Sequence, residues 1–210
     1  MKRKILTFIY VIFSIICVSG CKTCTDNCKD HDKPMIVAYR YLLNNWAPLK
    51  DGDKRRGYNI AAVLVDSDGK IVSKSLNSVI VSQDCTQHAE MKLIQDYLKE
   101  NRCFNLSGYT VYTTLEPCAM CTMTMSMAGI STVYYGQNDE GFGNAAERMA
   151  FDSTQYNGYA PYPRVSKTHL VKSPMQEELE KAFKGSNIKQ ITKWLATDEA
   201  KEIITKHLNY

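Results

Sequence analysis

Two short stretches, His88-Ala89-Glu90 and Pro117-Cys118-Ala119-Met120-Cys121, constrain this chain more than any other feature. The first reads H-x-E and the second P-C-x-x-C. One imidazole and two thiolates supply three donors to a tetrahedral Zn²⁺ and leave the fourth position for water, whereas a structural zinc site is normally closed by four protein ligands. If His88, Cys118 and Cys121 share one ion, the intervening chain must fold so that two distant segments meet. Glu90, two residues beyond the histidine, is then placed to move protons at that site.

The residues around the motifs predict how they are presented. Thr86 is a good N-cap, so His88 and Glu90 fall in the first turn of a helix running to about Asn101. A strand over Thr110 to Leu115 delivers Glu116-Pro117 and then Cys118 at the start of the next helix. Pro117 suits that entry because it lacks the N–H that a helix start leaves unpaired. Both motifs are therefore expected at helix N-termini, where the helix dipole favours thiolates and other anions. Cys118 and Cys121, at i and i+3, share one helical face. Cys85 is expected to be a small packed residue and not a fourth ligand.

The rest of the chain reads as one α/β domain with appendages. Asp32-Lys33-Pro34 opens a helix whose core face carries Met35, Ile36, Tyr39, Leu42, Leu43 and Trp46. Pro48 and the charged run Lys50 to Gly57 form a loop, in which Lys54-Arg55-Arg56 could meet a phosphate but is read by default as solvated. Ile60 to Val65 and Ile71 to Leu76 make a hairpin across Asp66-Ser67-Asp68-Gly69. Met123, Met125 and Met127 are expected as core filler. Ser131 to Tyr135 is a strand, and Arg164 to Val171 can supply the last one. Between them, 137–163 is a long connection with a short helix expected near Ala145 to Phe151. Its aromatics Phe142, Phe151, Tyr156, Tyr159 and Tyr162 fit a stacking lid or ordinary loop packing equally. Helices over Met175 to Phe183 and Ile188 to Leu208 follow, and the part beyond Ile188 reads as an addition that can cover the site or extend an interface. His31, His169 and His207 lack any metal-ligand context.

The N-terminus predicts an address. Met1 to Lys4 is a basic n-region and Ile5 to Val18 an apolar stretch, short for a membrane span and suited to an export signal. Val18-Ser19-Gly20-Cys21 resembles the lipobox of bacterial lipoproteins, which implies cleavage before Cys21, lipidation of Cys21 and a membrane anchor in the bacterial cell envelope. A simple secretory signal or an uncleaved anchor is the alternative. The expected organisation is signal 1–20, tether 21–32, core domain 33–185 and C-terminal helical extension 186–210. In an oxidising compartment, Cys24 and Cys28 in the tether can form a local bridge or stay free, and no pairing of Cys85 or Cys103 is fixed. The formal charge is +4. Losing Lys2, Arg3 and Lys4 would leave 23 basic against 22 acidic residues, which gives no support to nucleic acid as a partner.

From Ala61 to about Gly136 the chain resembles the cytidine deaminase-like superfamily, especially its tRNA adenosine deaminase branch. The residues that carry the resemblance are Ala61 to Val65, Asn77, Thr86-Gln87-His88-Ala89-Glu90, Thr114 to Cys121, Met125, Gly129-Ile130 and Val133 to Gly136. The resemblance implies a three-layer α/β/α sandwich around a mixed five-stranded sheet, and a homodimer or higher oligomer. It implies zinc held by His88, Cys118 and Cys121, with Glu90 as proton shuttle. It also implies that Asn77 bonds the bound base or sugar and that the Ala89 N–H faces the substrate ring. The expected activity is hydrolytic deamination of a nucleobase, nucleoside or related aminated heterocycle. Two alternatives stand beside it. One is a deaminase acting on tRNA or other nucleic acid. The other is a non-catalytic envelope zinc module, which requires a closed fourth position and a Glu90 turned away.

Overall fold

The computed structural model describes residues 32–145 and 165–209. The export signal, Cys21, Cys24, Cys28, His31, the body of the helix expected near Ala145 to Phe151, and four aromatics of the long connection (Phe151, Tyr156, Tyr159, Tyr162) lie outside the described residues.

The first helix, α1 (Asp32–Leu43), is followed by a 3-10 turn at Leu49–Lys54 and by the hairpin β1 (Ala61–Val65) and β2 (Ile71–Leu76). The hairpin closes because Asp66 Oδ1 accepts from the Asp68 and Lys70 amides at 3.0 and 2.9 Å, while Gly69 takes φ +79°, a conformation costly for any residue with a Cβ. Next come α2 (Ala89–Asn101), β3 (Thr110–Thr113), α3 (Ala119–Met127) and β4 (Thr132–Tyr135). The chain ends with β5 (Lys167–Leu170), α4 (Pro174–Lys184), α5 (Ile191–Trp194) and α6 (Asp198–Leu208).

The sheet is mixed and five-stranded, in the order β2-β1-β3-β4-β5. β1 pairs antiparallel with β2 and β3, whereas β3, β4 and β5 run parallel. Every residue of β1 is buried, the pattern of a central strand covered by helices on both faces. α2 packs on β1 and β2 and touches α3, while α1 packs on β1 and reaches α6. This is the α/β architecture expected from the resemblance.

The C-terminal helices are fastened to the start of the sheet. Asn59 is fully buried. Its Oδ1 accepts from the Ala47 amide at 3.0 Å, and its Nδ2 donates to the carbonyls of Ala47 and Leu195 at 2.9 and 3.2 Å. The Leu49 amide donates to Ala196 O at 3.0 Å. Trp194 and Leu195 are each only 1% exposed, and Trp194 packs against Phe183.

Four local expectations change. The helix expected over Ile188 to Leu208 is two helices, because Thr197 opens α6 as an N-cap and accepts from the Ala200 amide at 3.3 Å. Thr86 does not cap α2. Its hydroxyl donates to Asp84 Oδ1 at 2.7 Å, and His88 itself occupies the N-cap position. Met125 is fully buried but Met127 is 62% exposed, since it sits on the outer face at the end of α3. Cys85 is exposed, not packed, on the turns that link β2 to α2.

Candidate metal centre and its cavity

Both metal motifs lie at helix starts, His88 as the N-cap of α2 and Cys118 as the N-cap of α3, each in extended backbone conformation. β3 lies between the helices in sequence and carries the chain from the end of one to the start of the other. The three donors converge: Cys118 Sγ lies 3.7 Å from His88 Nδ1, Cys121 Sγ lies 3.5 Å from it, and the two sulfurs are 3.6 Å apart. A tetrahedral zinc with ordinary bond lengths sets sulfurs about 3.8 Å apart and sulfur from nitrogen about 3.6 Å. The donors thus stand where one zinc ion needs them. Among the described residues no other acidic, cysteine or histidine side chain joins this cluster, and the exposed Cys85 does not close a fourth position.

The electrostatics follow from that crowding. Left to themselves the two thiols compete for one proton. The contact with Cys121, then that with His88, brings the Cys118 thiol down to about 4, while the contact with Cys118 and burial push the Cys121 thiol up. His88 is raised, chiefly by its hydrogen bond with Cys118. A divalent cation relieves this competition, because it binds both sulfurs as thiolates.

Glu90 turns toward the donors. It is 3% exposed, its Oε2 lies 3.5 Å from Cys121 Sγ, and its Oε1 accepts from the Thr113 hydroxyl at 2.6 Å. Burial pushes its carboxyl above the ordinary value, and the Thr113 hydrogen bond acts against that shift. A carboxyl so held keeps a proton more readily than an exposed glutamate does, and its free Oε2 faces the donors.

His88, Glu90, Cys118 and Cys121 line a cavity of about 470 Å³, a size suited to a small ligand. One bank is the loop 139–142, which includes Phe142, 70% exposed at the rim. The other bank is C-terminal, made of Phe183 and the segment 189–192. Tyr58 contributes a further aromatic wall, with the Arg55 guanidinium 5.4 Å from its ring centre. Ala89 is fully buried beside the donor His88. Asn77 is also fully buried. Its Oδ1 accepts from the Tyr58 amide at 3.1 Å and the Val79 amide at 3.3 Å, and its Nδ2 has no partner. Arg56 donates to the Asn77 carbonyl, so one member of the cluster read as solvated is tied into the fold.

Glu116 organises the first bank. Its Oε2 accepts from the Asp139 amide at 3.0 Å and its Oε1 from the Asn144 amide at 2.7 Å. A Cβ on Gly143 would run into that carboxylate and into the Asp139 carbonyl, so glycine is required there by close approach. Asp139 Oδ1 in turn accepts from the Gly141 and Phe142 amides.

Residues 44–137, which include all three donors and Glu90, match the family described as the cytidine and deoxycytidylate deaminase zinc-binding region. This stretch is similar to a deaminase zinc-binding region. Similar proteins include the tRNA-specific adenosine deaminase of Rickettsia bellii, 33% identical over 93 residues, covering 44% of this chain and 64% of that protein. The tRNA-specific adenosine deaminase of Agrobacterium fabrum is 36% identical over 102 residues, covering 49% of this chain and 66% of that protein. The matches to these two relatives thus span just under two thirds of each relative's length. A solved structure of guanine deaminase from Bacillus subtilis aligns with a TM-score of 0.45 and 25% identity, covering 77% of this chain and 98% of that one.

Motif spacing alone located the three donors and Glu90. It missed Thr113, Glu116, Tyr58 and Phe183, whereas the segment beyond Ile188, read as able to cover the site, does border the cavity. Thr113 carried one usable signal, a hydroxyl in an otherwise apolar-facing strand just before the second motif.

Proposed function

We propose that this protein is a zinc-dependent hydrolytic deaminase of a small aminated heterocycle, a free nucleobase or nucleoside. The observation that carries the proposal is the buried Glu90 carboxyl set between Thr113 and Cys121 at the metal donors, facing a ligand-sized cavity. His88, Cys118 and Cys121 would hold the zinc. When bound, zinc supplies Lewis-acid activation of water. Glu90 takes a proton from the attacking water. As the new C–O bond forms at the carbon bearing the exocyclic amine, Glu90 gives that proton to the ring nitrogen. It then takes the proton of the new hydroxyl and gives it to the amine, so that the C–N bond breaks, ammonia leaves and the carbon becomes a carbonyl. Thr113 holds Oε1 and leaves Oε2 to face the donors. Phe183 and the segment 189–192 support a small substrate, because they wall one side of a cavity of ligand size. The N-terminal pattern, Lys2 to Lys4 followed by Ile5 to Val18 and Cys21, supports a lipid-anchored protein of a bacterial envelope.

Deamination of adenosine in RNA is the second reading, favoured by the relatives named tRNA-specific adenosine deaminase. Ammonia release by the purified zinc-loaded protein separates the two, measured on aminated bases, nucleosides and short RNA hairpins beside the Glu90→Gln variant. Release from a base or nucleoside that Glu90→Gln abolishes establishes the first reading. Release from RNA alone establishes the second, and silence on all substrates with full zinc overturns both.

A further inference from the structure

The charge of the cavity narrows the substrate further. Among the described residues, four carboxylates line it, Glu90, Glu116, Asp139 and Glu140, against a single lysine, Lys189. A zinc ion held by two thiolates adds no net charge to this count. Two of the carboxylates are fixed and cannot swing aside for an incoming anion. Glu116 is held through both oxygens by the Asp139 and Asn144 amides, and Asp139 through Oδ1 by the Gly141 and Phe142 amides. Glu140 stands exposed beside them on the same bank. The cations near the walls are Lys189, exposed on the opposite bank, and Arg55, whose guanidinium lies over the ring of the wall residue Tyr58.

From this we infer that the site selects substrates without a phosphate, taking a nucleobase or nucleoside and discriminating against the corresponding nucleotide and against polynucleotides. The inference rests on the deaminase function proposed above. A phosphate brought into a cavity with a fixed carboxylate bank is repelled at short range, in surroundings that shield charge less than bulk water does. A neutral base or nucleoside meets no such penalty and finds acceptors for its amino groups on the same carboxylates. The carboxylates thus reject one substrate class while they bind the other.

The test measures kcat/KM at low ionic strength for adenosine, guanosine and cytidine, each beside its 5′-monophosphate, with adenine, guanine and cytosine included. Any pair that does not react is run as a competitor of the substrate that does. The nucleoside is expected to be preferred over its monophosphate by about tenfold or more, the scale set by like charges at a partly shielded site. Added salt is expected to shrink the preference. Glu140→Lys, a change at the exposed rim, is expected to shrink it as well while zinc content stays the same. A monophosphate that reacts or competes as well as its nucleoside overturns this inference and leaves the deaminase function standing. No reaction from any base, nucleoside or nucleotide at full zinc occupancy removes the small-substrate deaminase function proposed above, and the inference with it.

Discussion

The Thr113 hydroxyl donates to Glu90 Oε1 at 2.6 Å, and both side chains are buried. Hydrogen bonds to a charged partner contribute about 1.5–3 kcal/mol, so this one both orients the carboxyl and sets how readily it gives up a proton. Thr113→Val keeps the shape of the side chain and removes the donor. We expect kcat to fall by about tenfold or more, from the loss of one oriented hydrogen bond at the proton-transferring group. Zinc content should be unchanged, because Thr113 touches no donor. Equal activity in the variant would show that Glu90 is positioned by other contacts.

Zinc content tests the donor set directly. With three donors spaced for one tetrahedral ion, elemental analysis should return one zinc per chain. Cys121→Ser should lose most of it. A ligand that binds only the folded state raises stability, so stripping zinc with a chelator should lower the melting temperature of the wild type and leave Cys121→Ser nearly unaffected. A zinc-free protein that melts at the same temperature as the loaded one would mean that this triad is not the ion's site.

The fold and the metal donors were legible because each rests on a short-range pattern. β1 reads as an apolar run, α1 and α4 as helical periodicities, and the donors as fixed spacings. What stayed hidden depends on contacts between distant residues. Glu116 looks like a generic acid beside Pro117 until the Asp139 and Asn144 amides close on it. The segment beyond Ile188 left two readings open, cover for the site or an interface, because nothing local in 189–192 says which surface it will border. Its place in the cavity wall decides for the first. Thr86 and the region around Thr197 show the complementary limit. Both carry capping side chains, and only the competing partner decides the outcome: Asp84 takes Thr86 away from α2, whereas Thr197 finds the Ala200 amide free.

Acid should weaken the seam between α4 and α6. Glu178 accepts from Lys206 at 2.9 Å and lies 2.8 Å from His207. Its hydrogen bonds with Lys206 and then His207 hold its carboxyl below the ordinary range. A carboxyl depressed in the folded state adds stability that is fully present above its unfolded pKa, about 4.3 for glutamate, and that disappears as pH falls through the lower folded value. The pair is on the surface, so its contribution is small and screened by salt. Glu178→Gln should therefore melt slightly below wild type at pH 7. The gap should close below about pH 4, near the unfolded glutamate pKa. A gap that does not narrow as pH falls below the unfolded glutamate value would assign the loss to packing and not to charge.

Asn59 makes a sharper claim about how the cavity is held. Its amide is the one side chain that ties the Ala47 backbone, the entry to β1 and the Leu195 carbonyl together, all in buried surroundings. Asn59→Ala leaves an amide and two carbonyls without that partner. Each buried group so stranded costs about 1–3 kcal/mol, and partial relaxation brings the expected total to about 3 kcal/mol, measured by urea unfolding. The same change loosens α5, whose first residue, Ile191, is buried at the cavity wall. The expected kinetic signature is thus a raised KM with a smaller change in kcat, since Glu90 and the donors lie on α2 and α3, away from the tie. A variant that unfolds easily but keeps the wild-type KM would show that the C-terminal bank is positioned by Trp194 and its neighbours alone.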